Sequence, residues 1–554
     1  MVFSALAASR FQPKLPAPQD ALCHRRSATG FIDVSELSYS VGGHQLFHDV
    51  SFRVGEGSKV ALVGANGTGK TTLLRLIAGD IRPESGTISN SGGIGVMRQF
   101  IGSAGGSTTV RDFLLGLAPE PVRVAGLALN AAEHRLADQP DDAEVATAYA
   151  QAVADWASAG GYAAEVTWNV CCESSIGEPF EAVRDRPVAT LSGGEQKRLA
   201  LEVLLRGDEE VLLLDEPDNY LDVAAKRELE TALRATGKTV LYVSHDRQVL
   251  AETANRVVTL EGRGVWVHGG GFANYSEARE ARLGRLDELH RRWEEEHDHL
   301  KDLVRRMRVQ ATMSDKMASR LQAAVTRLRK YEEAGPPAER PRRQDVRIRL
   351  RGGRTGVRVL TCDQLAIPNL VRPFDLEVSF GERIALLGNN GTGKSHLLRL
   401  FAGEEIAHDG RFVLGARVTP GHFKQTHEHP ELRGKTLVDS LHQHGRDRAG
   451  AMRALDRYEL VSHGDQDFAT LSGGQQARFL ILLLEIGGAT LLLLDEPTDN
   501  LDVHSAEALE HGLDAFEGTV IAVTHDRWFA RRFNRFVIVA GDGVVTDRPS
   551  PVWD

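Results

Sequence analysis

The sequence predicts an α/β protein in which two copies of one domain follow each other along the chain, joined by an antiparallel α-helical hairpin. Four blocks of sequence occur twice in the same order, which predicts a duplicated domain. In each copy, short runs of Val, Leu and Ile alternate with helical segments, a pattern typical of a mainly parallel sheet covered by helices. Between the copies, apolar residues recur on alternating steps of three and four residues, which predicts the paired helices.

The composition is that of an ordinary globular protein with two or three domains. The chain has 554 residues, of which 42% are hydrophobic and 26% charged, and a formal net charge of −10. It contains no apolar run of about 18 residues, so no membrane-spanning helix is expected. The four cysteines, at positions 23, 171, 172 and 362, show no C-x-x-C spacing. They argue against a disulfide scaffold or an iron–sulfur cluster and favour a reducing, cytoplasmic location.

A flexible extension is predicted for residues 1–30, which are rich in Ala, Pro and Arg. This stretch lacks the uninterrupted apolar segment of a secretory signal, although a transit peptide is an alternative.

The repeated blocks place a first copy at about residues 31–270 and a second copy at 356–554. In the first copy, the four blocks are, in order, SKVALVGANGTGKTTLLRLIAGD, LSGGEQKRLALEVLL, VLLLDEPDNYLD and TVLYVSHDR. Lys70 and Lys394 lie 324 residues apart, whereas Ser192 and Ser472 lie 280 apart, so the first copy carries 44 extra residues between its first two blocks. Their Ala-rich sequence predicts helices, which would enlarge a helical subdomain at about 100–185.

The first block of each copy contains a phosphate-binding loop. GANGTGKT at 64–71 and GNNGTGKS at 388–395 both match G-x-x-x-x-G-K-[ST]. In such a loop, backbone N–H groups surround phosphates at a helix N-terminus, the lysine reaches the β- and γ-phosphates, and the hydroxyl holds Mg²⁺. A chance Gly-rich turn is excluded because the loop occurs twice in the same context. The predicted ATP-binding residues are Gly64, Asn66, Gly67, Gly69, Lys70, Thr71 and Thr72 in the first copy and Gly388, Asn390, Gly391, Gly393, Lys394 and Ser395 in the second.

Acidic residues end an apolar strand in each copy. Asp215 and Asp495 follow runs of four apolar residues, at the strand end where ligands bind in open α/β sheets. They are predicted to hold Mg²⁺ together with Thr71 and Ser395. Glu216 and Glu496 come next and are predicted to polarise the attacking water.

Two further pairs complete the predicted sites. His245 and His525 each end a short apolar strand within a repeated His-Asp-Arg, which favours a contact with the γ-phosphate over a structural role. Gln99 and Gln425 lie 29 and 31 residues after the loop lysines and are predicted to contact the metal and the water.

The blocks LSGGEQ at 191–196 and LSGGQQ at 471–476 resemble the signature of the ATP-binding-cassette (ABC) ATPases. The resemblance covers about 31–270 and 356–554, and it implies two P-loop domains that close head to tail over two ATP molecules. Each signature would then cap the γ-phosphate held by the loop of the other copy. It implies that Ser472, Gly473 and Gly474 act with the loop of Lys70, and that Ser192, Gly193 and Gly194 act with the loop of Lys394. An adenine-stacking role is implied for Tyr39, with an ordinary strand tyrosine as the alternative; the nearest equivalent in the second copy is Ile367.

A basic helical-hairpin linker is predicted between the copies, at 271–355. Residues 301–330 contain nine Lys or Arg against two acids, and AGPPAERP at 334–341 stops the second helix. Positive charge on one projection of an acidic protein favours RNA binding, with a solvated basic face as the alternative. The predicted RNA-binding residues are Arg305, Arg306, Arg308, Lys316, Arg320, Arg327, Arg329 and Lys330.

Fused cassettes with a basic hairpin, introduced by GGGFANYSEAR at 269–279, resemble the ABC-F subfamily. The resemblance implies a monomeric ATPase that binds the ribosome in the tRNA exit site, with its hairpin directed at the peptidyl-transferase centre and the P-site tRNA. Such a protein is a translation factor or an antibiotic-resistance ribosome protection protein. The alternative is the ATP-binding subunit of a drug exporter, which would co-purify with a separate membrane protein. The sequences DNYLD at 218–222 and TDNLD at 498–502 depart from the Thr-Asn-His-Leu-Asp usual in the subfamily, which puts the coupling between the sites in doubt.

Overall fold

The computed structural model describes residues 30–98, 108–219, 221–311, 315–337, 340–341, 346–424 and 429–553. Residues 1–29 of the extension predicted at 1–30, together with Gln99 and Gln425, lie outside these residues, and the side chain of Lys316 is likewise not described.

The first copy is built on a six-stranded sheet between helical layers. Its strands are β1 Ile32–Val41, β2 His44–Val54, β3 Lys59–Gly64, β4 Ser85–Asn90, β5 Ile94–Met97, β6 Val211–Asp215, β7 Thr239–Val243, β8 Arg256–Glu261 and β9 Gly264–His268. Its helices are α1 Lys70–Ile77, α2 Val110–Leu117, α3 Glu120–Asp138, α4 Ala143–Ser158, α5 Gly161–Ser175, α6 Phe180–Val183, α7 Gly193–Arg206, α8 Val223–Ala235 and α9 Arg247–Thr253. The sheet order is β5-β6-β7-β3-β8-β9, with only β9 antiparallel to its neighbour, and β2, β1 and β4 form a separate antiparallel sheet. Every residue of β6 and β7 is buried, because helices cover both faces of the sheet.

The second copy repeats this architecture. Its strands are β10 Arg358–Ile367, β11 Val371–Ser379, β12 Arg383–Leu387, β13 Asp409–Leu414, β14 Pro420–Phe423, β15 Leu491–Asp495, β16 Thr519–Val523, β17 Arg535–Val539 and β18 Val545–Arg548. Its helices are α12 Lys394–Phe401, α13 Leu437–Gln443, α14 Arg448–Asp456, α15 Gly473–Gly487, α16 Val503–Asp514 and α17 Arg527–Ala530. The order β14-β15-β16-β12-β17-β18 matches the first copy strand for strand, which confirms the predicted tandem α/β fold.

The 44 extra residues of the first copy form helices, as their composition predicts. Between β5 and α7 lie the five helices α2 to α6, with 8, 19, 16, 15 and 4 residues, whereas the same interval of the second copy holds the α-helices α13 and α14, with 7 and 9. The aromatic rings of Trp156, Trp168 and Phe180 pack in a row, with ring centroids 6.1 and 5.5 Å apart. These rings belong to an apolar core that the extra helices share with α2 and α7.

The two copies are joined by the predicted hairpin, formed by α10 Tyr275–Ala311 and α11 Asp315–Ala334. The helices run antiparallel, since Trp293 stacks on Tyr331 with ring centroids 5.6 Å apart and the later Glu296 pairs with the earlier Arg327 at 3.0 Å. With 37 residues, α10 spans about 55 Å. It begins within GGGFANYSEAR, the segment that introduces the hairpin.

The copies also contact each other directly through two buried ion pairs. Arg247 of the first copy pairs with Glu510 of the second, and Arg527 of the second pairs with Glu230 of the first. Arg527 lies 280 positions after Arg247, and Glu510 lies 280 positions after Glu230. Each copy therefore offers the same arginine and the same glutamate to the other, so the contact is reciprocal. Within the described parts of the chain, no helix has the length and apolar character needed to cross a bilayer.

Candidate functional site

Each phosphate loop forms a tight turn into a helix. Gly69 and Gly393 precede α1 and α12 with φ of 93° and 94°, a left-handed conformation that favours glycine. A Cβ at Gly69 would also lie 2.7 Å from Leu46 Cδ2. Lys70 Nζ donates to the carbonyl of Gly64 at 2.8 Å, and the equivalent bond from Lys394 Nζ to Gly388 is also 2.8 Å. The loops thus have the shape of a phosphate cradle, with the lysine folded over it.

Two of the three predicted metal ligands of the first copy, Thr71 and Asp215, lie together. The Thr71 hydroxyl hydrogen-bonds to Asp215 at the end of β6, while burial raises the pKa of that carboxyl group. Asp215 Oδ1 is buried and accepts no hydrogen bond from the described residues. Nor do those residues contain three or more His, Cys, Asp or Glu side chains placed to hold a metal by themselves. An oxygen left free beside a phosphate loop fits Mg²⁺, which proteins usually hold through one or two carboxylates together with substrate phosphates.

The glutamates after these strands have an unusual backbone. Glu216 and Glu496 adopt φ of 50° and 47°, a region that costs a non-glycine residue on the order of 1–2 kcal/mol. The conformation is held because their N–H groups still donate to Val243 and Val523 of the neighbouring strands, at 2.9 and 3.0 Å.

A neutral histidine lies beside each glutamate. His245 Nε2 is 3.7 Å from Glu216 Oε1, and His525 Nε2 is 3.5 Å from Glu496 Oε1. Burial is the main cause that lowers the pKa of His525 to about 3, and the positive charge of Lys394 is the second cause. Burial and the positive charge of Lys70 lower the pKa of His245 in the same way. Near neutral pH both imidazoles are therefore uncharged and can exchange hydrogen bonds with a phosphate oxygen or a water.

A first cleft of about 430 Å³ opens between the first phosphate loop and the second signature. The predicted residues that line it are Asn66, Gly67, Gly69, Lys70, Thr71, Thr72, Glu216, Ser472, Gly473 and Gly474. Asn66 closes it across the copies, because its N–H donates to Asp502 Oδ2 at 3.1 Å and its side-chain amide donates to the Asn500 carbonyl at 3.0 Å. Ser472 lies at the N-terminus of α15, where helix geometry favours an anion. The head-to-tail arrangement implied by the sequence is therefore present at this cleft.

A second cleft, of about 380 Å³, lies at the second phosphate loop. The predicted residues that line it are Asn390, Gly391, Gly393, Lys394, Ser395, Asp495, Glu496, His525 and, from the first copy, His245. Ser192, Gly193 and Gly194 do not line it. Instead, the first copy contributes Asp218, Asn219, Lys226 and Asp246. The two clefts therefore differ in which elements of the opposite copy close them.

The residue expected to stack on adenine does not line the first cleft. Tyr39 lies in β1 and packs against the apolar core of the first copy, while Val41 and Leu46 line the cleft. An aliphatic surface is therefore available to a base. Sequence reasoning missed Val41 because a lone valine carries no motif, and it missed Lys226 for the same reason. Asn500 could have been predicted, since it belongs to the DEP-x-x-x-L-D block that both copies share.

Basic side chains of the hairpin point to solvent. Arg305, Arg306, Arg308, Arg320, Arg327, Arg329 and Lys330 are all exposed. Arg327 pairs with Glu296 at 3.0 Å, and Arg305 lies 3.9 Å from Asp302. Exposed pairs of this kind contribute little stability, so they do not prevent these side chains from meeting a partner.

Family comparisons agree with both halves of the chain. The ABC transporter model matches residues 47–219 and 371–499, and a second model with the same description matches 258–348, which include the hairpin. A protein of Mycobacteroides abscessus named antibiotic resistance protein is 54% identical over 537 residues, which are 92% of this chain and 97% of that protein. ABC transporter F family member 5 of Arabidopsis thaliana is 31% identical over 536 residues, with coverage of 93% and 76%.

Among solved structures, the archaeal ribosome recycling factor aABCE1, crystallised with the ribosomal stalk protein aP1, has a TM-score of 0.55. The alignment covers 91% of this chain and 87% of that one at 19% identity, so it supports the fold alone. The matches to both copies, to the hairpin and to an F-family member together identify an enzyme that hydrolyses ATP. This chain belongs to the ABC-F subfamily of the ATP-binding-cassette ATPases.

Proposed function

We propose that this ATPase binds the ribosome in the cytoplasm, at the tRNA exit site, and directs its hairpin toward the peptidyl-transferase centre and the P-site tRNA. It would act as a translation factor or as an antibiotic-resistance ribosome protection protein. One relative supports this interpretation, since it is named an antibiotic resistance protein. The observation that carries the proposal is the hairpin itself.

The hairpin combines reach with charge. A helix of about 55 Å is long enough to extend well beyond a domain, and its outer part bears exposed arginines. Ribosomal RNA is a dense array of phosphates, and each phosphate that a basic side chain neutralises releases a counterion. The net charge of −10 for the whole chain would disfavour RNA binding elsewhere on the surface.

The two clefts would couple ATP to this contact. Lys70 and Lys394 would bind the phosphates, and Asp215 with Thr71 and Asp495 with Ser395 would hold Mg²⁺. Glu216 and Glu496 would polarise the attacking water, with His245 and His525 against the γ-phosphate. ATP draws the copies together because each site needs groups from both, so binding would favour engagement and hydrolysis would favour release.

The test is a trapped form of the protein. Glu216→Gln with Glu496→Gln removes both water-polarising carboxylates and leaves the phosphate loops intact. In a sucrose gradient, this double variant with ATP is expected to migrate with ribosomes, whereas the wild-type protein with ADP stays at the top. If the double variant with ATP also stays at the top, ribosome binding is wrong.

A second measurement separates the resistance role from the exporter alternative. Deletion of residues 283–333 is expected to abolish both ribosome binding and any drug protection that expression of the protein confers on a susceptible host. An exporter subunit would tolerate the deletion and would co-purify with a membrane protein.

A further inference from the structure

A small cavity lies beside the first phosphate loop, and the hairpin forms one of its walls. Its volume is about 80 Å³. The loop contributes Gly64, Ala65 and Thr68, the hairpin helix α10 contributes Tyr275 and Arg279, and α16 of the second copy contributes Val503 and His504. Three parts of the molecule that are distant in the sequence therefore meet beside one ATP site.

The first residues of α10, which we call the hairpin root (275–282), are tied to strand β8. The Thr259 hydroxyl donates to Tyr275 Oη at 3.0 Å, and both side chains are buried. Two residues further along β8, Glu261 pairs with Arg279 at 3.8 Å and also with Arg282. A shift of the hairpin root must therefore move the end of β8 or break these contacts.

Strand β8 in turn borders the strand that leads into the first phosphate loop. In the parallel pairing of β8 with β3, Thr259 lies opposite Val63, and Leu260 lies opposite Gly64, the first residue of the loop. A Cβ on Gly64 would lie only 2.8 Å from the Leu260 carbonyl oxygen, so strand and loop are in close contact. Closely packed interiors transmit small displacements. The position of the hairpin root therefore affects the loop that holds the phosphates.

The second copy reaches the same cavity through α16. The N–H of Asn66 in the first phosphate loop donates to Asp502 Oδ2 at 3.1 Å, and Asp502 caps the N-terminus of α16. Further along this helix, burial raises the pKa of Glu507, but a hydrogen bond from a histidine and the charges of neighbouring cations, Arg279 among them, hold that pKa below its usual range. The hairpin root thus also acts on the element of the second copy that closes the first cleft.

The equivalent cavity beside the second phosphate loop, of about 50 Å³, is built differently. At the positions of Thr259 and Glu261 it has Ile538 and Ala540, which can form neither a side-chain hydrogen bond nor an ion pair. None of the described residues of the hairpin lines this cavity. The segment after β18 takes the place of the hairpin root and contributes Trp553. The two phosphate loops are therefore supported by different elements.

We propose that Tyr275 and Arg279 are positioning residues of the first ATP site, through which the hairpin controls the first phosphate loop and ATP turnover there. The second site turns over independently of the hairpin root. The inference rests on the proposed roles of Glu216 and Glu496, and it does not require the ribosome as a partner. It makes the two ATP sites unequal, because a force on the hairpin reaches only one of the two loops directly.

The experiment uses full-length protein in which one site at a time can turn over. Glu496→Gln leaves the first site active, and Glu216→Gln leaves the second. In the Glu496→Gln background, Tyr275→Phe, which keeps the ring and removes the hydroxyl, is expected to lower ATP turnover by about fivefold or more, since small displacements of binding groups have effects of at least this size. In the Glu216→Gln background, the loss is expected to stay below about twofold.

Arg279 is tested by a conservative replacement. Arg279→Ala is expected to give the same pattern, with a loss of about fivefold or more at the first site only. Arg279→Lys keeps a positive charge for Glu261 and Glu507, so turnover is expected to stay within about twofold of the Glu496→Gln parent. If Arg279→Ala does not fold, Arg279→Gln supplies the same comparison.

Two further variants separate the contact from a general effect on the hairpin. The matched control is Tyr331→Phe, which removes a hydroxyl of the same hairpin that donates to the Trp293 carbonyl at 3.4 Å, outside the cavity. It should leave turnover unchanged in both backgrounds. Thr259→Val added to Tyr275→Phe should lower turnover no further than Tyr275→Phe alone, because both changes remove the same hydrogen bond.

Three results would overturn the inference: equal losses in the two backgrounds, equal losses for Arg279→Lys and Arg279→Ala, or unchanged turnover at the first site. Turnover is measured without ribosomes, so a failure of ribosome binding would not affect the result. Substantial hydrolysis by Glu216→Gln with Glu496→Gln would instead refute the roles of the glutamates, which is a separate failure.

Discussion

Residues with costly local features mark the two ATP sites. Glu216 and Glu496 adopt positive φ, and the uncharged, largely buried side chains of His245 and His525 lie beside them. Neither feature benefits stability on its own. Both are kept because the strand ends and phosphate loops around them fix a constellation that suits phosphate chemistry.

The neutral state of His525 predicts a loss of stability in acid. Its pKa is about 3 in the folded protein, whereas an unfolded chain has the ordinary value near 6.5. As the pH falls below about 6.5, the unfolded state takes up a proton that the folded state does not, so the free energy of unfolding falls. At pH 5 this histidine accounts for a loss of about 2 kcal/mol.

His525→Asn is therefore expected to reduce the difference between the free energies of unfolding at pH 7.5 and pH 5, measured in urea. The exposed His408→Asn serves as the control and should leave that difference as in the wild-type protein. The same pH dependence in His525→Asn and the wild type would contradict the prediction.

At the scale of elements, aromatic rings hold the hairpin together. Trp293 stacks on Tyr331 and on His297, with ring centroids 5.6 and 4.7 Å apart, midway along α10. Trp293→Ala is expected to cost about 3 kcal/mol locally and to speed hydrogen exchange in α11, with little effect on β6 and β15. Leu289→Ala, at an exposed position of α10, is the control and should change neither. Unchanged protection of α11 would show that the arms do not depend on this contact.

The outer part of the hairpin carries the proposed RNA contact. Arg305→Gln, Arg306→Gln and Arg308→Gln together should weaken ribosome binding and reduce its dependence on salt. The slope of log affinity against log salt should fall by roughly 0.7–0.9 for each phosphate that is no longer neutralised. The matched control neutralises three exposed arginines elsewhere, Arg234, Arg358 and Arg372. Binding assays at several salt concentrations distinguish the two sets. Equal effects would assign the role to net charge and not to the hairpin.

For the whole molecule, the reciprocal ion pairs Arg247–Glu510 and Arg527–Glu230 are largely buried links between the copies. Arg527→Ala leaves Glu230 buried without its partner, which is expected to cost about 3–5 kcal/mol. The expected result is a lower melting temperature and a loss of ATP turnover at both sites, because each site needs groups from both copies. Glu230→Gln added to Arg527→Ala should recover part of the loss, since the unpaired charge is then removed.

The surface pair of Arg372 with Asp542 gives the comparison, because both side chains are more than half exposed. Arg372→Ala should cost less than about 1 kcal/mol. A loss as small for Arg527→Ala would mean that the copies are held together by other contacts.

Much of the fold and of each separate site follows from the sequence. The duplicated blocks, the buried strands of β6 and β15, the loops that begin α1 and α12, and the seam of the hairpin are all local patterns. Their periodicity and spacing are set by backbone geometry, so they can be recognised without knowing what packs against them. The pairing of each glutamate with its histidine also follows, since adjacent parallel strands bring their carboxyl ends to one edge.

Only the tertiary structure decided how the copies complete each other's sites. The sequence offered two equivalent signatures, yet the structure brings Ser472 to the first cleft and places Lys226, not Ser192, at the second. It also gives the first cleft an aliphatic wall at Val41 where a tyrosine was expected. These contacts join residues that are distant in the chain or single in their kind, so no local spacing encodes them, and the way the two halves pack determines which side chains meet.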